Sequence, residues 1–183
     1  MREIEVKILN VDRNVIVNEI SKLGAEKIFD GEIKTLFFDF NDYRISKAGN
    51  VLRLRQTEES TLLTFKVILN KGTAKEAEEY EVKVSDFQTT IKILEALGLL
   101  ERGSIQKHRT SYELNNIKFD IDTHQKELSY VPTLMEIEAE NIDLIYKYAE
   151  LLGYKPKDCL PWSTEEVINH YSTKRPSNSV NLK

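Results

Sequence analysis

The chain has 183 residues, 40% hydrophobic and 31% charged, which is apolar material enough for a real core and excludes disorder as the default. Its 26 basic and 30 acidic residues leave a net charge of -4 with no basic run, so bulk binding of nucleic acid or of an anionic membrane is not expected. No signal peptide or spanning stretch stands out, and a cytoplasmic protein is expected. The single cysteine, Cys159, excludes an internal disulfide, and three scattered histidines (His108, His124, His170) leave carboxylates as the expected holders of any metal.

In chain order, Glu3-Ile4-Glu5-Val6-Lys7-Ile8 alternates charged and apolar residues and predicts a strand with Glu3, Glu5 and Lys7 on one face. A helix follows, capped by Asp12, striped by Ile16, Ile20 and Leu23 and ended by Gly24. Strands are predicted over 35–40, 51–56 and 62–69, separated by loops over 41–50 and 70–76. The opening unit then recurs as Glu79-Tyr80-Glu81-Val82-Lys83-Val84, a cap at Ser85 or Asp86, a stripe of Phe87, Ile91 and Leu94, and Gly98. Strands over 107–114 and 117–123 flank Asn115-Asn116, a hairpin signal. A third unit runs from Glu136-Ile137-Glu138 through Asn141 to Ile145, Tyr148, Leu152 and Gly153, an echo of the first two rather than a strict repeat. The tail carries Pro156 and Pro161, a short helix over 164–171 and a polar end from Ser172; no linker divides the chain into two domains.

The polar faces of these strands collect acids (Glu3, Glu5, Glu79, Glu81, Asp120, Asp122, Glu136, Glu138) and bases (Lys7, Arg53, Arg55, Lys66, Lys83, Lys107, Arg109). An ordinary solvated sheet face explains any one of them. Strand after strand with pairs of mostly one sign points further, to a sheet curled so that its charged faces converge in a tunnel and its apolar faces lie outward under helices. Arginine and lysine grip phosphate oxygens, and carboxylates hold Mg2+ or Mn2+. A substrate of about four negative charges, such as a triphosphate, would balance the bases and bring its own metal.

Glu3-x-Glu5-x-Lys7 at the N-terminus, Arg53-x-Arg55, Lys66 ending Leu-Thr-Phe-Lys, Lys107-x-Arg109, Asp122 and Glu136-x-Glu138, in that order, resemble the CYTH superfamily of triphosphate tunnel metalloenzymes. That group includes class IV adenylyl cyclases, thiamine triphosphatases and inorganic triphosphatases. The resemblance covers residues 1–171, leaving 172–183 as a tail, and implies an α+β fold, a closed antiparallel eight-stranded β-barrel with helices outside. It implies that Lys7, Arg53, Arg55, Lys66, Lys107 and Arg109 grip the polyphosphate, with Lys83 as a further contact. Glu3, Glu5, Asp122, Glu136 and Glu138 would bind metal, in all two Mg2+ or Mn2+ ions, and Glu5, Glu81 and Lys66 would serve catalysis. Two departures stand out. Where the family often has R-x-E-x-E this chain has Ala77-Glu78-Glu79-Tyr80-Glu81, so a basic contact is missing or is supplied by Lys75 or Lys83. Before the last E-x-E the usual leucine-glycine turn is replaced by Tyr130-Val131-Pro132-Thr133-Leu134.

His108 points away from its neighbours Lys107 and Arg109 and reads as structural. His124 is ambiguous, Trp162 is expected to pack the tail onto the barrel, one of Phe37 and Phe38 faces the outer core, and Asp120 is a second-tier site candidate. The function expected is metal-dependent hydrolysis of a triphosphate. Cyclisation of ATP to cyclic AMP is the alternative, and a polyphosphate- or nucleotide-binding sensor without turnover is a third. The small-molecule triphosphate is the only expected partner, with neither nucleic acid nor membrane; the oligomeric state stays open, a homodimer included. Carboxylate repulsion in a metal-free tunnel further predicts that Glu136→Gln or Glu138→Gln raises thermal stability.

Overall fold

A computed structural model describes residues 2–173; the side chain of Glu3 and the tail from 174 onward lie outside the described residues. The elements are β1 (Arg2–Ile8), α1 (Arg13–Lys22), β2 (Glu26–Asp39), α2 (Arg44–Lys47), β3 (Val51–Gln56), β4 (Thr61–Lys71), β5 (Lys75–Val84), α3 (Phe87–Ala96), β6 (Leu100–Leu114), β7 (Ile117–His124), β8 (Leu134–Ala139), α4 (Ile142–Leu151) and α5 (Thr164–Ser172). The eight strands are all antiparallel and hydrogen-bond into a closed ring in the order β1-β5-β4-β3-β2-β6-β7-β8. Closure leaves no free sheet edge along the paired stretches, which suits strands whose two faces have opposite character.

The three repeated units are capped as their sequences dictate. The carboxylate of Asp12 accepts from the backbone N–H of Asn14 and Val15, that of Asp86 from Thr89 and the Asn141 side chain from Leu144, and each helix ends at a glycine with φ between 85° and 88°. Each helix turns an apolar stripe onto the outside of the ring. Helices α1 and α4 bury Ile16, Ile20, Ile145 and Tyr148 against Val6, Ile8, Phe119, Ile121, Met135 and Ile137. Helix α3 sets Phe87 and Leu94 against Leu36, Phe38 and Leu54. Val82 differs from the expectation that it lies under a helix: it is 55% exposed, because the outer face of β5 is left uncovered beside Tyr80.

Two strands are longer than their periodicity suggests. The first half of β2 pairs only with β6, carries mostly polar residues and shifts register between Lys27 and Phe29, so no clean alternation marks it. The start of β6, which pairs only with the second half of β2, is hidden for the same reason. The Asn115-Asn116 turn is as expected, with φ of 48° and 62°, the left-handed pair that a two-residue hairpin needs.

A third apolar cluster joins Val131 and Leu134 to Val167 of α5, with Leu9, Trp162 and Tyr171 packed around them. Leu134 lies two residues before Glu136 on the same face of β8, so this cluster covers one end of the ring interior beside β7 and β8. The connection over 125–133 includes a single 3-10 turn (Lys126–Leu128) with Lys126 at φ 51°, and it is a packed loop where a tight hairpin would leave that end open.

Ile145 is fully buried, and Ile145→Ala is expected to cost about 2–5 kcal/mol of unfolding free energy, whereas exposed Val82→Ala should cost under about 0.5 kcal/mol. Urea titrations with unchanged m-values check both; equal losses would mean that the outer face of β5 is covered.

Candidate active site

Alternation places charged residues from seven strands on the inner wall, and there they pair with one another. On β1, Glu5 and Lys7 are 9% and 2% exposed. Glu5 accepts from Lys7 at 3.1 Å, from Lys75 at 2.8 Å and from Lys66 at 3.4 Å. Lys7 also reaches Glu136 at 2.9 Å. Lys66 meets Glu79 at 2.6 Å, and Arg53 approaches the same carboxylate at 3.4 Å. On the opposite wall Arg109 donates to both oxygens of Asp122 at 2.6 and 2.5 Å, to Glu136 at 2.8 Å and to Asp120. Lys107 meets Asp122 at 2.5 Å. Glu138 stands opposite Glu5 and Lys118 in the strand registers.

Lys75 takes the place that the sequence leaves open between Lys75 and Lys83. It is buried on the same face as Ala77 and Glu79 and bonded to Glu5, so it supplies a base two residues before the missing arginine. Lys83 and Glu81 are exposed farther along the strand; Glu81 accepts from Thr64 at 2.8 Å, and the buried glutamate of β5 is Glu79. Asp120, the second-tier candidate, is 3% exposed and lies within the cluster, with Oδ1 lacking any partner. His108 points outward to Asp30 at 3.2 Å, as its alternation requires. Phe38 faces the outer core while Phe37 is half-buried opposite Arg53.

The electrostatics are uneven around the ring. Burial alone would raise the carboxyls of Glu5 and Glu136, yet Lys7 and the other cations beside each hold both well below the usual range. Burial opposes the charge on Lys7 too, but Glu136 and Glu5 more than restore it, and its ammonium is held above the ordinary lysine value. The other side runs the opposite way. Burial and then the Arg109 charge push Lys107 down to about 8, and burial with Arg53 and Arg109 pushes Arg55 down to about 10. Arg55 forms no salt bridge among the described residues, and its Nε is buried without a partner. Arg55 is therefore a cation that lacks the carboxylate partner Lys107 has in Asp122.

Residues 1–158 match the model of the CYTH domain. The chain belongs to the CYTH family. A protein of Methanocaldococcus jannaschii named "Putative adenylate cyclase" is 30% identical over 122 residues, 67% of this chain and 70% of that one. The PH1012 protein of Pyrococcus horikoshii OT3 superposes with a TM-score of 0.77 at 28% identity, over 91% of this chain and 99% of its own. A Hippeastrum protein described as a putative adenylyl cyclase with a dominant triphosphatase activity shares the fold, with a TM-score of 0.65 at 14% identity over 92% and 95% of the two chains. The closed ring of this chain is the CYTH tunnel fold.

The ion pairs make two expectations concrete. Arg109→Met takes a cation from three carboxylates, two of them buried, and should cost about 3–5 kcal/mol, while Arg55→Met removes a cation without a carboxylate partner and should leave the ligand-free protein as stable or more so. Thermal melts of the two variants check the contrast, and equal destabilisation would contradict it. Stability should also fall in acid. His124, held down to about 4 by burial and then by Lys107, takes its proton in the unfolded chain first, so stability drops as pH falls from about 6.5 to about 4. The depressed carboxyls of Glu5, Asp122 and Glu136 extend the loss through lower pH. Chemical denaturation across this range should show both legs, with His124→Gln flattening the upper one.

Proposed function

We propose that this protein hydrolyses a triphosphate inside the tunnel with the help of a divalent cation. The observation that carries the reading is Arg55, its Nε buried without a partner, in a wall that also presents Lys7, Lys66, Lys75, Lys107 and Arg109. A polyanion entering there gives Arg55 a partner and offers the lysines around Glu5 an alternative to its carboxylate. Glu5 holds three lysines in place as a phosphate would.

Among the described residues no three side chains form a ready metal cage. The donor chemistry nevertheless fits a hard cation such as Mg2+ or Mn2+: the acids are all carboxylates, and Asp120 keeps a buried oxygen without a partner. Glu136, Glu138 and Glu5 would hold one ion, with Asp120 or Asp122 available to a second once the bases turn to phosphate. A bound cation supplies charge neutralisation on the phosphate oxygens and lowers the pKa of a water. The chain's own bases do the rest: Arg53, Arg55, Lys107 and Arg109 orient the polyphosphate, and Lys7, Lys66 and Lys75 stabilise charge on the departing diphosphate. Water adds to a terminal phosphorus, the bond to its bridging oxygen breaks, and orthophosphate and a diphosphate result. Exposed Glu81 stands at the tunnel mouth, where a role in admitting substrate fits better than one in the chemistry.

The name of the Methanocaldococcus relative favours a second reading, cyclisation of ATP with loss of diphosphate. That reaction must also hold adenine and turn the ribose 3'-hydroxyl onto the α-phosphorus, and hydrolysis asks for fewer positioned groups. Incubation with ATP, thiamine triphosphate or inorganic triphosphate and Mg2+ or Mn2+ should release orthophosphate. Cyclic AMP and diphosphate as the dominant products would overturn the proposal.

Glu136→Gln should lower turnover by about 100-fold or more, in line with the loss of one electrostatic group in an active site. It should also lower stability, because Glu136 binds Lys7 and Arg109 and the neutral amide leaves both less well paired. For Glu136 this reverses the repulsion-based expectation, because its carboxylate lies 2.9 Å from Lys7 and 2.8 Å from Arg109. Product assay and thermal melt together check both directions.

A further inference from the structure

His124 is the buried group that the proposed chemistry has not used. It ends β7 on the same face as Asp120 and Asp122, stands in register with Lys107 and is 4% exposed, yet neither Nδ1 nor Nε2 has a hydrogen-bond partner. A buried ring nitrogen without a partner forfeits its hydrogen bonds to water with nothing in return, and buried polar groups in folded proteins are seldom left so. The nearby groups do not satisfy it: Lys107 donates to Asp122, and Asp122 is shared between Lys107 and Arg109. An imidazole ring carries at least one N–H in every tautomer, so this side chain can donate a hydrogen bond to a ligand.

Its place in the ring says which part of a ligand meets it. Strand β7 runs toward the connection that leads into β8 at Leu134, and Leu134, Val131 and α5 cover that end. Strand β5 runs from buried Lys75 toward the other end, where Glu81 and Lys83 are exposed. An organic substituent directed toward exposed Glu81 and Lys83 would set the free end of the polyphosphate beside β7.

We propose that His124 donates a hydrogen bond to the terminal phosphoryl group of the bound triphosphate, next to Lys107, and is a substrate-binding residue of this tunnel. The assignment rests on the triphosphate reading above. An N–H donor at this point would orient a phosphoryl oxygen beside the cation of Lys107, which stands in register with it.

The test is binding of inorganic triphosphate, without turnover, to the whole chain and to His124→Leu and His124→Gln, followed by calorimetry and by the ring-nitrogen NMR signals of the three histidines. The His124 signals, assigned by their loss in the leucine variant, should shift on saturation while those of His108 and His170 stay in place. His124→Leu should weaken binding about tenfold, near 1.4 kcal/mol, and His124→Gln, which keeps an N–H, should recover most of it at equal or lower melting temperature. A merely structural histidine, satisfied by an internal water, predicts unmoved signals and full affinity in every folded variant, and that result would overturn the assignment. If His124→Leu fails to fold, the NMR shift in the unaltered chain and the glutamine variant still decide. No binding of triphosphate by the unaltered chain would remove the triphosphate reading itself, whereas binding with silent His124 signals removes only the role of His124.

Discussion

A ring of strands can bury charge on its inner face only if that charge is neutralised there and the outer face is apolar enough to hold the ring closed. Both conditions are visible. Val6, Ile8, Ile121 and Ile137 lie beneath α1 and α4, while their immediate neighbours in sequence, buried Glu5, Lys7 and Asp122 and half-buried Glu136, lie on the other side of the same backbone. A register slip of one residue in β1 or β8 would send glutamate into the helix-covered core and isoleucine into the tunnel. The ion pairs therefore fix register as well as charge, since a buried carboxylate without its cation costs several kcal/mol.

Net stabilisation by such pairs is small, because desolvation offsets much of the attraction. Apolar packing outside the ring carries the stability, and the interior is free to be arranged for a ligand. The arrangement is not symmetrical. Around Glu5 and Glu136 the acids are overcompensated by lysine and arginine, while Arg55 has no carboxylate partner among the described residues. An anion of several charges is the kind of ligand that levels this difference.

Much of this was legible in the sequence because strand alternation separates the two faces residue by residue. Glu5, Lys7, Arg53, Lys66, Lys107, Arg109, Asp122 and Glu136 are brought together as expected, and their order carried the resemblance to the CYTH family. What the sequence hid has local causes. Lys75 precedes the motif it completes and sits in a stretch that reads as loop, and Glu79 and Glu81 share a face, so only depth along β5 tells the buried one from the exposed one. The first half of β2 lacks alternation because it pairs on one side only. The sign of the Glu136 effect was beyond reach, since alternation shows which face a carboxylate takes but not that Lys7 and Arg109 lie 2.9 and 2.8 Å from it.

Substrate affinity in such a tunnel is a difference between two sets of pairs. Lys7, Lys66 and Lys75 must loosen their hold on Glu5, and Arg109 its hold on Asp122 and Glu136, before they can close on phosphate. On the proposed function, lone orthophosphate would carry too little charge to replace so many partners, while a triphosphate would replace them together and leave carboxylate oxygens free for a cation. The exchange couples the two ligands: each makes room for the other, so a cation should tighten triphosphate binding and triphosphate should tighten cation binding by the same factor. Selectivity for chain length then follows from how many ion pairs a ligand can replace at once, with little demand on the shape of whatever is attached at the open end.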